Sequence, residues 1–309
     1  MRHFLRDDDV SPQEQAELLA LAAAMKATPY DAKPLAGPHT VAMIFDKPTL
    51  RSQTSFAAGT AELGGNPLVV DGGLAGIGRR ESVADVARVL GGQASMIVWR
   101  TFAQAAVEEM AAMSGVPVIN ALTDEFHPCQ LLADLLTIQE HKGELAGLTV
   151  AFLGDAACNM GNSWALAGTM AAMHVVFGCP EGYAPDAGVL VQAEAMPGGS
   201  VHVTDDPVAA VAGADVVVTD TWVSMGKEDE AADRRVLFSP YAVTSELMAH
   251  AKPDAIALHC LPAYRENEIS AEVIDGPQSV VWDEAENRRH VQKAVMAWLY
   301  ERRGVEPDE

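Results

Sequence analysis

Short apolar runs alternate with longer stretches of mixed polarity along most of the chain. Val41–Phe45 reads as a buried strand, and 68–70, 94–99 and 116–121 read as three further strands. Between them, 54–63, a segment ending near Leu90 and Gln104–Met113 read as helices, with 131–140 following the last strand. Residues 10–27 form an Ala/Leu-rich helix, with Ser11 placed to cap it and Pro12 just inside. The pattern restarts after Gly143–Gly147, which reads as a hinge. Strands are expected at 148–153, 173–177, 201–204, 214–219 and 255–258, and helices at 185–195, 208–212 and 284–302. Such alternation predicts an α/β fold of two doubly wound parallel-sheet domains. Gly72, Gly73, Gly76 and Gly78 mark 72–82 as a mobile loop.

Length and charge narrow the classes. The chain has 309 residues, which suits two domains, and 49% of them are apolar. It carries 21 Lys and Arg against 43 Asp and Glu, a formal charge of -22. That balance argues against nucleic acid or an anionic membrane as a partner. A small anionic ligand remains compatible, because a few local cations govern a cleft. No run is long enough to span a bilayer, and the N-terminus lacks the apolar segment of a signal peptide. Cys129, Cys158, Cys179 and Cys260 form no paired motif, so a reduced, cytoplasmic protein without a structural metal is expected.

In parallel sheets ligands gather at the carboxyl ends of strands, and several reactive side chains fall there. Ile44–Phe56 runs from a strand into a helix through Lys47, Thr49, Leu50, Arg51 and Ser52. A helix start aims backbone N–H groups and a favourable dipole at an anion, and a guanidinium matches phosphate oxygens. Arg100 ends another strand. His127, Pro128, Cys129 and Gln130 precede a helix and offer a donor and an amide. Gly154 and Asp155 lack the spacing of a dinucleotide loop, whereas Asn159 offers an amide to a polar ligand. Asp220 ends a very apolar strand, suited to holding an ammonium. Cys260 follows His259 at a further strand end, where it reads as a lining thiol or a thiolate. Arg288 reads equally as an exposed helix residue paired with Glu284.

Together these segments resemble the aspartate/ornithine carbamoyltransferase family, collinearly over essentially the whole chain. The motifs are His127–Gln130, Asn159–Ser163, Asp220–Gly226, His259–Pro262 and Glu284–Arg288. The resemblance is to the ornithine branch. It implies transfer of a carbamoyl group from carbamoyl phosphate to the δ-amine of L-ornithine, a step of arginine metabolism, without metal or cofactor. It also implies a homotrimer. Residues 1–142, with helix 285–309 packing back, would bind carbamoyl phosphate, and 143–284 would bind ornithine. Thr49, Leu50, Arg51, Ser52, Arg100, His127, Gln130, Cys260, Leu261 and Arg288 match the carbamoyl phosphate positions. Asn159, Asp220, Ser224 and Met225 match the ornithine positions. Arg100, His127, Asp220 and Cys260 would act in the chemistry.

Two departures bear on the phosphate end. The family's loop usually reads Ser-Thr-Arg-Thr-Arg, whereas here it is Thr49, Leu50, Arg51, Ser52 and Gln53. Gly76 stands where ornithine enzymes commonly carry a glutamine that reaches a neighbouring subunit. Arg79 and Arg80 lie on the same loop as candidate replacements. Two other readings therefore stay open: a paralogue acting on acylated ornithine or putrescine, and a non-catalytic protein with a decayed phosphate site.

Overall fold

Strands that are apolar on both faces need helices on both sides, and the computed structural model has that arrangement. It describes residues 1–223 and 228–303. The chain divides into two compact units, Met1–Leu136 with Asn287–Glu309, and Thr137–Glu286.

The first unit holds a parallel sheet of β1 (Thr40–Phe45), β2 (Asn66–Asp71), β3 (Met96–Arg100) and β4 (Val118–Leu122), ordered β2-β1-β3-β4. Its helices are α1 (Pro12–Ala27), α2 (Arg51–Glu62), α3 (Gly72–Ala75), α4 (Val83–Gly91) and α5 (Gln104–Ser114), followed by the start of α6 (Pro128–Lys142). Ser11 caps α1, and Glu14 completes a capping box. Ala42, Ile44, Ile97, Trp99, Val107, Met110 and Val118 form one core cluster. Phe4 bridges Ile119 in parallel at the β4 edge.

The second unit repeats the plan with β5 (Thr149–Leu153), β6 (His174–Gly178), β7 (Ser200–Thr204), β8 (Val216–Thr219) and β9 (Ile256–His259), ordered β7-β6-β5-β8-β9. Its helices are α7 (Asn159–Met170), α8 (Ala187–Glu194), α9 (Pro207–Val211), α10 (Ala231–Phe238), α11 (Ser245–Met248) and α12 (Ala271–Ile274). The last helix, α13, runs Val281–Glu301. The division between the units falls within α6 and within α13.

Each sheet reverses strand order at a point of its own, between β1 and β3 in the first unit and between β5 and β8 in the second. That is where an open α/β sheet offers room for a ligand.

Two local expectations change. The helix after β1 starts at Arg51, three residues before the Thr54 start read from the sequence. Ser52, Phe56, Gly59 and Thr60 then share its buried face, a spacing that the polar first turn concealed. Segment 72–82 is not a plain loop. Asp71 caps the short α3 through the Leu74 N–H at 3.0 Å, and Gly76 ends it with φ 65°. Helices α10, α11 and α12 show no clear periodicity in the sequence and emerge only in the structure.

Candidate active site

The first unit gathers its cations around one hydroxyl. Strand β3 delivers Arg100, 9% exposed, at its carboxyl end. Helix α13 delivers Arg288, which is buried rather than exposed. Arg288 donates one Nη to Ser52 Oγ at 2.9 Å and the other to Gln130 Oε1 at 3.0 Å. Arg100 reaches the same Ser52 Oγ at 3.4 Å. Glu284, which the sequence offered as the partner of Arg288, is itself buried and accepts the His259 backbone N–H at 2.9 Å. Gln130 is oriented by donating to Asp134 Oδ1 at 2.8 Å.

Ser52 lies in the first turn of α2, whose N-cap Leu50 supplies no side-chain oxygen. The first-turn N–H groups are thus left to a ligand or solvent. Leu50 is 74% exposed, and Thr49 is half-buried beside it.

His127 is buried before α6. Burial, reinforced by Arg288, Arg100, Arg51 and Lys47, holds its imidazole well below the usual histidine range. The ring is therefore neutral at physiological pH and able to donate one hydrogen bond. Lys47, given no role by the sequence, pairs with Asp124 and lies 4.5 Å over the Phe102 ring. Four cations beside a helix start suit a doubly charged phosphate-type ligand.

The second unit gathers a different set. Cys260, just past β9, donates its thiol to Asp220 Oδ1 at 3.2 Å, just past β8. Asp220 also accepts the Thr221 N–H at 2.7 Å. Asn159 opens α7 after the β5 loop. Ser224 and Met225 lie outside the described residues.

Leu261 follows Cys260 in the left-handed region, φ 58°, before a cis peptide to Pro262. Its N–H donates to His259 Nδ1 at 2.9 Å. The His259 proton must then sit on Nε2, which faces Glu268 Oε1 at 3.2 Å. Asp220, His259 and Cys260 bring ligand-type atoms within 4.8 Å of one another. Both ring nitrogens of His259 are already engaged, so a metal there would have to break one of those bonds. The trio reads better as a hydrogen-bond network presenting Asp220 and Cys260.

Sequence reasoning named Lys47 and Asp155 without finding a partner for either, and passed over Asp134, Arg234 and Glu268. All five are buried ionisable groups. Their one sequence-level signal is a charge beside an apolar run, which gives no partner.

The carbamoyl-phosphate-binding domain model of aspartate/ornithine carbamoyltransferases matches residues 2–140, and the aspartate/ornithine-binding domain model matches 146–299. An ornithine carbamoyltransferase of Clavibacter sepedonicus is 60% identical over 301 residues, covering 96% of this chain and 98% of that protein. One from Renibacterium salmoninarum is 59% identical over 308 residues, covering 97% and 99%. The solved ornithine carbamoyltransferase of Pyrococcus furiosus superposes with a TM-score of 0.93 at 43% identity, covering 99% of this chain and 98% of that one.

Proposed function

The chain belongs to the aspartate/ornithine carbamoyltransferase family, and we propose that it transfers the carbamoyl group of carbamoyl phosphate to the δ-amine of L-ornithine, giving L-citrulline and phosphate. The observation that carries this reading is the convergence of Arg288 and Arg100 on Ser52 at the start of α2, beside a neutral His127.

The residues divide the work by chemistry. Residues 1–142 with 285–309 bind carbamoyl phosphate, and 143–284 bind ornithine. Arg51, the α2 N–H groups, Thr49, Leu50 and Ser52 hold the phosphate, with Arg288 and Gln130 completing its hydrogen bonds. Arg100 and His127 donate to the carbonyl oxygen. Asp220, Asn159, Ser224 and Met225 hold the amino acid, and Cys260 and Leu261 line the carbamoyl end.

The ornithine δ-ammonium must lose its proton before attack, since an amine of pKa about 10 is protonated at neutral pH. The free amine attacks the carbonyl carbon, and the C–N bond forms. Charge builds on the carbonyl oxygen, where Arg100 and the His127 N–H stabilise it. The C–O bond then breaks, and phosphate leaves with the electron pair, its charge met by Arg51 and Arg288. The amine's remaining extra proton leaves with the phosphate. No covalent enzyme intermediate is needed, and most of the acceleration comes from positioning.

By the same reading the protein works as a cytoplasmic homotrimer. Its four free cysteines and the absence, among the described residues, of a helix long and apolar enough to cross a membrane are consistent with that. The test is citrulline formation from ornithine, N-acetylornithine or putrescine with carbamoyl phosphate. Ornithine is expected to be preferred by at least tenfold. Folded protein that turned over none of them, or preferred another amine, would overturn the proposal.

A further inference from the structure

Arg234 is a buried cation of the second unit whose partners Asp155, Trp222 and Glu230 are not among the residues assigned to substrate. It lies on α10 with 4% of its surface exposed. Its Nη2 pairs with Asp155, itself 4% exposed, in the loop after β5. Its Nε donates to the Trp222 carbonyl oxygen at 2.6 Å, in the loop after β8. Nη1 reaches Glu230 Oε2 at 3.3 Å. The guanidinium lies over the rings of Phe238 at 5.1 Å and Tyr183 at 5.5 Å. One planar fork thus joins the two loops that flank the point of strand-order reversal.

Each loop is itself tied to a residue of the amino-acid site. Asp155 accepts the Ala157 N–H at 3.1 Å, and its carbonyl accepts the Cys158 thiol at 3.2 Å. Asn159 follows immediately, as the first residue of α7. Trp222 stands two residues after Asp220 and stacks on Phe238 at 6.0 Å. A Cβ on Gly154, φ 107°, would sit 2.8 Å from the Trp222 indole nitrogen. The two loops therefore pack against each other with no room for a side chain at Gly154.

We propose that Arg234 is a positioning residue for the amino-acid substrate. It holds the β5 and β8 loops at one separation, and so sets the spacing between Asn159 and Asp220. Lysine cannot replace it. An ammonium can keep the charge contact with Asp155, but it lacks the fork that meets carboxylate and carbonyl in fixed directions. This inference rests on the proposed carbamoyl transfer to ornithine. Loss of the spacing weakens recognition of the amino acid and leaves carbamoyl phosphate recognition untouched.

The test compares wild type with Arg234→Lys, Asp155→Asn and Glu230→Gln, each checked for folding by circular dichroism and thermal melting. Arg234→Lys is expected to raise KM for ornithine at least tenfold, with KM for carbamoyl phosphate within twofold of wild type. Asp155→Asn removes the charge and keeps an oxygen for only one of its two side-chain donors, Ala157 N–H and Arg234, and is expected to raise the ornithine KM in the same direction. Glu230→Gln touches only the outer partner, and is expected to leave both constants unchanged. Should Arg234→Lys fail to fold, the Asp155→Asn split decides the matter. Unchanged KM values with kcat scaled to the folded fraction would show a purely structural ion pair and overturn the proposal. An equal rise in both constants would overturn it too. A wild-type enzyme that makes no citrulline would instead sink the activity on which the inference stands.

Discussion

Replacing Ser52 by alanine removes one oxygen and tests the logic of the phosphate end. Ser52 is fully buried, and its Oγ accepts from Arg288 at 2.9 Å and from Arg100 at 3.4 Å. The first is a full charge-assisted bond, whereas the second is near the outer limit and adds little. A hydrogen bond to a charged group contributes about 1.5–3 kcal/mol, and losing Ser52 Oγ removes one of the bonds that hold the buried Arg288 guanidinium. At about 2–4 °C per kcal/mol for a protein of this size, the melting temperature should fall by roughly 3–12 °C. Arg288 and Arg100 would also lose their common anchor, so affinity for the anion should drop by roughly tenfold to a hundredfold, the same energy expressed as binding. The assay is thermal unfolding with and without inorganic phosphate, together with KM for both substrates. Phosphate should stabilise wild type by mass action and the variant much less. The ornithine KM should change less than that for carbamoyl phosphate. A melting shift below about 1 °C with an unchanged carbamoyl phosphate KM would mean the guanidiniums are held without Ser52.

His127 is held neutral in the folded protein by burial and by the Arg288, Arg100, Arg51 and Lys47 charges, so the unfolded chain takes up its proton first as pH falls. Stability should therefore be complete above pH about 6.5 and decline below it, by on the order of 1 kcal/mol at one unit below. Urea midpoints at pH 7.5 and 5.5 should separate less in His127→Asn, and an equal separation would refute the assignment. His3 follows the same sign. Burial, with the amino terminus beside it, lowers its pKa to about 4, while its Nδ1 accepts the Val118 N–H at 3.1 Å. Stability from this edge contact is present above pH about 6.5 and is lost as pH falls towards 4. His3→Gln should flatten that part of the acid profile, most visibly in amide exchange at Phe4, which donates to the Val118 carbonyl, and at Asn120, which donates to the Phe4 carbonyl. Cys260→Ser keeps a donor to Asp220 and should retain at least a tenth of kcat. A loss of a thousandfold or more would mark the thiol as a covalent nucleophile.

The strands were legible because a parallel sheet covered on both faces leaves near-continuous apolar runs, of which Val41–Phe45 and Val216–Thr219 are clear cases. Their carboxyl ends then located Arg51, Arg100, Asp220 and Cys260 with no three-dimensional information. What periodicity could not supply is partnership between residues far apart in the chain. Arg288 sat near Glu284 in sequence, so an exposed ion pair read as equally good as a site role, and nothing there pointed to its acceptors Ser52 and Gln130, 236 and 158 positions away. Arg234 was hidden for a second reason. Its helix α10 has eight residues, of which it buries only Arg234 and Phe238, so there is no apolar stripe to detect. Both failures have one physical origin. A buried charge is stable only where the folded chain brings it a partner, and the sequence records the charge without the partner. Such groups collect at the strand-order reversal of each sheet because loops from non-adjacent segments meet there and can surround a charge with acceptors. The same convergence that conceals these residues from sequence reading is what gives Arg234 and Arg288 their partners.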